Sequence, residues 1–298
     1  MASEESIQRL RAFPKGKDFF LGVDSDGCAF DTMEIKQSEC FIPNTICHYG
    51  LQAISRYVRQ TEAWVSLHSR WRGANRFPAL VRVLDLLARR PECVARGYRV
   101  PPLGPLRQWI AQESQLGNPA LEAKVAETAD PVLARALAWS KDVNAAVERI
   151  VQGVPPFPLV RECLEEIARQ ADVMVVSATP EEALVREWRE HGLDRYAGMI
   201  CGQELGTKAE QLRHGAAGKY PPGRILMIGD AEGDLEAARA SGALFYPINP
   251  GREEASWKRF RDEAAGRFFA GEYDGDYERG LIDDFLGHLP SEPPWETI

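Results

Sequence analysis

The stretch FFLGVDSDGCAFDTM, residues 19 to 33, decides how the rest of the chain reads. Its apolar run, FFLGV, has the length and the aromatic and β-branched content of a buried strand. The run ends in two aspartates one residue apart, Asp24 and Asp26, followed by Gly27. Strand side chains alternate with period two, so the two carboxylates would share a side if the strand continued. Like charges at that spacing repel and resist burial, which calls for a cation beside them or a proton held for use.

The bulk numbers narrow the class. The chain has 298 residues, more than a typical single domain of ~100–150 residues, so a core plus a second module is expected. Hydrophobic residues make up 44% and charged residues 27%, as in globular proteins. Lys and Arg total 36 against 44 Asp and Glu, a net charge of -8, which argues against nucleic acid as a general partner. No apolar run approaches the ~20 residues that span a bilayer. MASEESIQRLRAFPKGKD carries no leader pattern, so the expectation is a cytoplasmic protein with no membrane partner. The six cysteines form no CxxC pair, and reduced, packed thiols are expected rather than a zinc site.

Further apolar runs, VMVV (173–176), ILMI (225–228) and ALFYP (243–247), alternate with helical patterns after residue 170. Continuous apolar strands between helices predict a parallel sheet covered on both faces. The helices carry punctuation. VRECLEEIA repeats apolar residues at i, i+3, i+4, i+7 and i+8 from Val160, one stripe toward a sheet. SATPEEAL predicts an N-cap at Thr179, Pro180 in the first turn and Glu182 closing a capping box; GTKAEQL repeats the box with Thr207 and Glu210. Residues 33–155 instead read as helix throughout, divided by proline-rich joints. The division is therefore 1–32 (first core strand), 33–155 (helical insertion), 156–250 (rest of the core) and 251–298 (a helical extension packed on the core).

Four signals fall at strand ends or helix starts: Asp24-x-Asp26-Gly27, Ser177 after VMVV, Lys208, and Gly229-Asp230-x-x-x-Asp234 after ILMI. Open parallel sheets bind ligands at the carboxyl ends of their strands, so these residues should converge. In order and type they resemble the four motifs of the haloacid dehalogenase superfamily, over roughly residues 18–30 and 158–250, and the helical insertion sits where that superfamily places its cap. The resemblance implies an α/β Rossmann-like core with an all-helical cap and a Mg²⁺-dependent phosphatase acting on a small phosphorylated metabolite. Asp24 would be the nucleophile, Asp26 the general acid and base, and Ser177 and Lys208 the phosphoryl-oxygen donors. Asp24, Asp26 (through its carbonyl) and Asp230 would hold the metal, with Gly27, Ala178 and Asp234 in support.

The chemistry accounts for these residue types. A carboxylate attacking a phosphate dianion needs a divalent cation between them, and hard Mg²⁺ prefers oxygen ligands. An alkoxide leaving group needs a proton, which Asp26 supplies; the dehalogenase and phosphonatase branches generally lack that second aspartate, so both are disfavoured. A sugar-phosphate phosphomutase uses the same four motifs and stays as the alternative, with a non-catalytic binding protein behind it. Two departures stand out: Cys28 follows the first motif, and Lys208 lacks a following proline, leaving Lys219 as a fallback. In the helical insertion, HSRWRGANRF clusters Arg72, Asn75 and Arg76, which suit an anionic or hydroxyl-rich leaving group; a solvated helix start is the competing reading. The histidines have no triad or metal spacing.

Overall fold

The computed structural model describes residues 3–296, which divide into two compact units: residues 3–32 with 153–289, and residues 33–152 with 290–296.

The first unit is built on a five-stranded parallel sheet in the order β3-β2-β1-β4-β5. The strands are β1 (Phe19–Val23), β2 (Ala171–Val176), β3 (Met199–Cys201), β4 (Ile225–Gly229) and β5 (Leu244–Pro247). The sequence predicts four of these; β3 escapes because an edge strand of three residues is too short to show a run or an alternation. Both faces are buried, with period-two parity. Leu21, Val23, Val173, Val175, Leu226 and Ile228 share one apolar cluster with the helix Val160–Ile167 and with Trp257, Phe260 and Phe268. Phe20, Met174, Val176, Met227 and Phe245 share the other with Leu10, Leu212, Leu235 and Phe285. Burying one such side chain stabilises by about 1.5–3 kcal/mol, so two filled faces explain why nearly every strand residue is apolar.

β1 is central, pairing in parallel with β2 on one side and β4 on the other. The strand order reverses there, and a crevice opens beyond the carboxyl ends at such a point. Asp24 follows β1 and Asp230 follows β4, and the amide of Asp24 donates to Ile228 O at 3.0 Å.

The second unit is helical. Its main helices are Ser55–Leu67, Arg76–Arg89, Asn118–Thr128 and Pro131–Ile150, around a core that includes Trp64, Phe77, Leu84, Trp109 and Trp139. The turn between the last two places Ala129 at φ 50 and uses Asp130 to cap the second, its carboxylate accepting from Val132 and Leu133. Inside, Trp139 Nε1 donates to Thr45 Oγ1 (3.1 Å) and that hydroxyl donates to Glu62 Oε1 (2.9 Å). Burial pushes the Glu62 carboxyl up to about 8, against the opposing hydrogen bond from Thr45.

One expectation is corrected. The stretch from 251 to 289 does pack on the core, but residues 290–296 belong to the helical unit. Trp295 sets its ring edge against Trp64 at 5.7 Å and lies under the guanidinium of Arg90 at 4.4 Å. One large aromatic holds a proline-rich tail where helix periodicity gives no signal. All six cysteines are free, and no helix among the described residues is long and apolar enough to cross a membrane.

Candidate active site

Asp24 emerges from β1 with 5% of its surface exposed, and Asp230 from β4 with 2%. Asp234, fully buried, stands on the first turn of the helix Glu232–Ser241. One oxygen from each of these carboxylates lies within 4.8 Å of the others. Asp234 is held at both ends. Its Oδ2 accepts the amides of Asp230 and Ala231, both at 3.1 Å, where carboxylates favour a helix start. Its Oδ1 takes the ammonium of Lys208 at 2.5 Å. Gly229 makes this possible: a Cβ there would sit 2.4 Å from the Asp234 side chain.

Lys208 opens the helix Lys208–Gly215, whose Thr207–Glu210 capping box forms as the sequence predicts. Its Nζ reaches Asp24 Oδ2 at 2.9 Å as well as Asp234. Burial works to lower its pKa, but Asp234 and Asp24 outweigh it and hold the lysine above its ordinary value. Asp24 is pushed up by burial and by Asp234 and Asp230, against the pull of Lys208. Lys219 is excluded as a substitute, because its ammonium donates to Phe13 O at 2.8 Å and Leu10 O at 3.3 Å.

Three carboxylates lie together in a buried space, and two of them, Asp24 and Asp234, share the one ammonium of Lys208. Such a group of oxygens suits a hard divalent cation. Both oxygens of Asp234 are engaged with Lys208 and the main chain, and Oδ2 of Asp24 pairs with Lys208.

The Asp26 carboxylate is aimed elsewhere. It accepts a hydrogen bond from Thr179 Oγ1 at 2.6 Å and another from Thr32 Oγ1. The turn that directs it has Gly27 at φ 76, donating to Phe30 O at 2.8 Å. Ser25 between the two aspartates is anchored too, donating to Glu187 Oε2 (3.1 Å) and accepting from Trp188 Nε1 (3.0 Å).

Thr179 is therefore not the N-cap that the sequence suggests. The helix starts at Glu181 with Pro180 as N-cap and no side-chain bond from it, and Glu204 Oε2 accepts the Glu181 amide at 2.9 Å. A carboxylate is the better partner for the hydroxyl, since a charge-assisted bond is roughly twice as strong as a neutral one.

Ser177 follows β2, buried, with its Oγ accepting the Thr179 amide at 3.2 Å; Ala178 beside it is exposed. The Ser177 carbonyl is tied by Gln211, whose Nε2 lies 3.0 Å from Ser177 O, 2.9 Å from Gly202 O and 3.1 Å from Gly206 O. One amide thus ties together the connections that follow β2 and β3 at the carboxyl end of the sheet. Gln211, Thr32, Thr179 and Glu187 belong to no motif; the only sequence sign of Gln211 is its place three residues after Lys208. Cys28 is fully buried with its thiol toward Ile228 O at 3.7 Å, and burial pushes its pKa well up, so it is a packing residue.

Two of the three helical-unit candidates are corrected. Arg72 is 5% exposed and its Nη1 donates to Leu67 O at 3.0 Å, closing the end of its own preceding helix. Asn75 caps the helix Arg76–Arg89 through Phe77 N and donates to Leu116 O at 2.8 Å. Both serve the unit's internal turns. Arg76 differs, as described further below.

No family model matches the chain, and no curated protein does. Among solved structures, it is similar to a haloacid dehalogenase-like family hydrolase from Streptococcus pneumoniae, at 14% identity over 80% of this chain and 90% of that one, TM-score 0.44. It is similar also to a predicted phosphoglycolate phosphatase from Haemophilus somnus, at 15% identity over 78% and 86%, TM-score 0.45. A third is a defluorinating L-2-haloacid dehalogenase, at 16% identity over 76% and 79%, TM-score 0.38.

Proposed function

We propose that the chain is a phosphatase of the haloacid dehalogenase superfamily, hydrolysing a small phosphomonoester through an aspartyl-phosphate on Asp24. The observation that carries this reading is the convergence of four separate sequence motifs on one sheet end. Lys208 bonds Asp24 and Asp234, Asp230 joins their cluster, and Asp26 is linked through Thr179 to the loop of Ser177.

In this reading Asp24 Oδ attacks phosphorus, forming the O–P bond as the ester oxygen departs. Asp26 gives that oxygen its proton, then takes one from the water that hydrolyses the acyl phosphate, freeing Asp24 and inorganic phosphate. Thr32 and Thr179 hold the Asp26 carboxylate ready, and Glu187 and Trp188 fix the intervening Ser25. Lys208 and the Ser177 hydroxyl face the growing charge on the phosphoryl oxygens. A Mg²⁺ ion held by Asp24, Asp230 and the Asp26 carbonyl would supply neutralisation of nucleophile and phosphate together. The second aspartate supports transfer from an alcohol oxygen over carbon–halogen cleavage.

The test is a phosphate-release screen over phosphorylated sugars, short phosphorylated acids and nucleotides, run with and without Mg²⁺. Turnover of at least one, lost in Asp24→Asn, is the expected result; no release from any member, or release by the variant equal to wild type, would overturn the reading.

A further inference from the structure

Arg76 stands at the first position of the helix Arg76–Arg89. Its Nη1 donates to Asn144 Oδ1 (2.6 Å), Ser140 Oγ (3.0 Å) and Ser140 O (3.3 Å), and its guanidinium lies 5.2 Å from the centre of the Phe41 ring. Four contacts fix the fork in one orientation. All three hydrogen bonds use the same nitrogen, and every acceptor is neutral. Nε and Nη2 donate to none of the described residues, and neither belongs to the sealed polar atoms. That free edge is the one whose geometry matches the two oxygens of a carboxylate or phosphate.

Arg76 lacks the counter-charge that other arginines of the unit find. Elsewhere in the unit Arg107 meets Asp85 at 2.5 Å and Arg90 meets Glu92 at 3.3 Å. No described carboxylate lies within ion-pair reach of Arg76, and burial alone pulls its pKa down to about 10, with no acid to offset it. A withdrawn cation that stays charged at neutral pH, without a partner, is costly.

A second feature points the same way. The bond from Asn75 to Leu116 O and the 2.6 Å bond from Ser140 Oγ to Asn118 Oδ1 bring the start of the helix Asn118–Thr128 beside the start of Arg76–Arg89. The N-cap of the former is Gly117, which brings no side-chain acceptor to the first amides. Two positive helix ends and one cation therefore meet without an anion.

We propose that Arg76 and these two helix starts form a binding site in the helical unit for the carboxylate or phosphate group of a small anion. The group belongs to a free anion. The cation, held by Phe41, Ser140 and Asn144, receives the anion along its Nε–Nη2 edge.

The full wild-type chain with ¹⁵N-labelled arginine tests this directly. The Arg76 Nε–Hε signal, assigned by its loss in Arg76→Lys, is followed while sodium glycolate and, separately, inorganic phosphate are added. A saturable shift of that signal, larger than the shifts of the exposed Arg56 and Arg59, is expected. No such shift, or one equal to that of the exposed arginines, overturns the proposal.

Discussion

Asp24 and Asp234 share one ammonium: Lys208 Nζ lies 2.9 Å from the first and 2.5 Å from the second. Asp234 is bound to the main chain at the start of its helix, so it acts as the fixed post from which the lysine is held toward Asp24. The lysine remains charged because two carboxylates surround it, and it cannot swing away without stranding Asp234, fully buried, without its counter-charge. Breaking such a pair from one side costs about 3–5 kcal/mol, which keeps the positive charge where a phosphoryl oxygen would need it.

Asp24→Asn should remove phosphate release by more than about a thousandfold while leaving the fold intact, because an amide is a poor nucleophile and Lys208 keeps Asp234. Circular dichroism with an activity assay on one preparation checks both parts. Activity within tenfold of wild type would remove Asp24 from the nucleophile role.

The paired excess of negative charge around Asp24, Asp230 and Asp234 predicts a thermal response to Mg²⁺. At a hundredfold excess over Kd the ion should add roughly 2.7 kcal/mol to stability, seen as a raised Tm that a chelator reverses. Asp230→Asn should blunt that rise. A Tm indifferent to Mg²⁺ would count against the metal site whatever the activity data say.

The aspartates, Lys208 and the sheet could be read from the chain because their signals are local: a run of apolar residues, a carboxylate at its end, a capping box at Thr207. The residues that position them could not. Gln211 reaches Ser177 O across 34 positions and Thr179 reaches Asp26 across 153, so no short window of sequence contains either pair. Thr179 also carried a misleading local signal, since a Thr-Pro-Glu-Glu stretch normally announces an N-cap. The arginines misled in the same way. SRWRGANR looks like one binding loop, yet turn geometry consumes Arg72 and Asn75 and leaves Arg76 alone with an open edge. β3 was invisible because its neighbours in space, not its own three residues, make it a strand.

Glu62 predicts a pH effect that has no connection with catalysis. Its folded-state pKa, about 8, lies above the unfolded value near 4.5, so the folded chain holds a proton that the unfolded chain releases. The contribution is present in full below the unfolded pKa and is lost as pH rises through the folded one, at about 1.4 kcal/mol per pH unit between them. Glu62→Gln should flatten this slope and make the protein more stable than wild type at pH 8–9. Urea melts from about pH 5 to about pH 8, between the two pKa values, check the slope, and parallel slopes in both proteins there would refute the buried-acid account.

Asp26 and its threonines predict a leaving-group signature. Asp26→Asn removes the proton donor, so an alkyl phosphate, whose alkoxide leaves badly, should lose far more than p-nitrophenyl phosphate, whose phenolate leaves with little help. Thr179→Val keeps the carboxylate but deletes the 2.6 Å bond that aims it, leaving only the hydroxyl of Thr32 among the two threonines. Loss of a charge-assisted bond is worth about 1.5–3 kcal/mol, so kcat for the alkyl substrate should fall roughly 10- to 150-fold, with much less change in KM. The aryl substrate should fall only a few-fold in the same variant. A merely structural role for Thr179 gives a different pattern, lowering both substrates by the same factor, because a loosened loop harms the nucleophile and the acid alike. Parallel losses in Thr179→Val would therefore return that residue to the scaffold, and parallel losses in Asp26→Asn would remove the proton-transfer role from Asp26 itself.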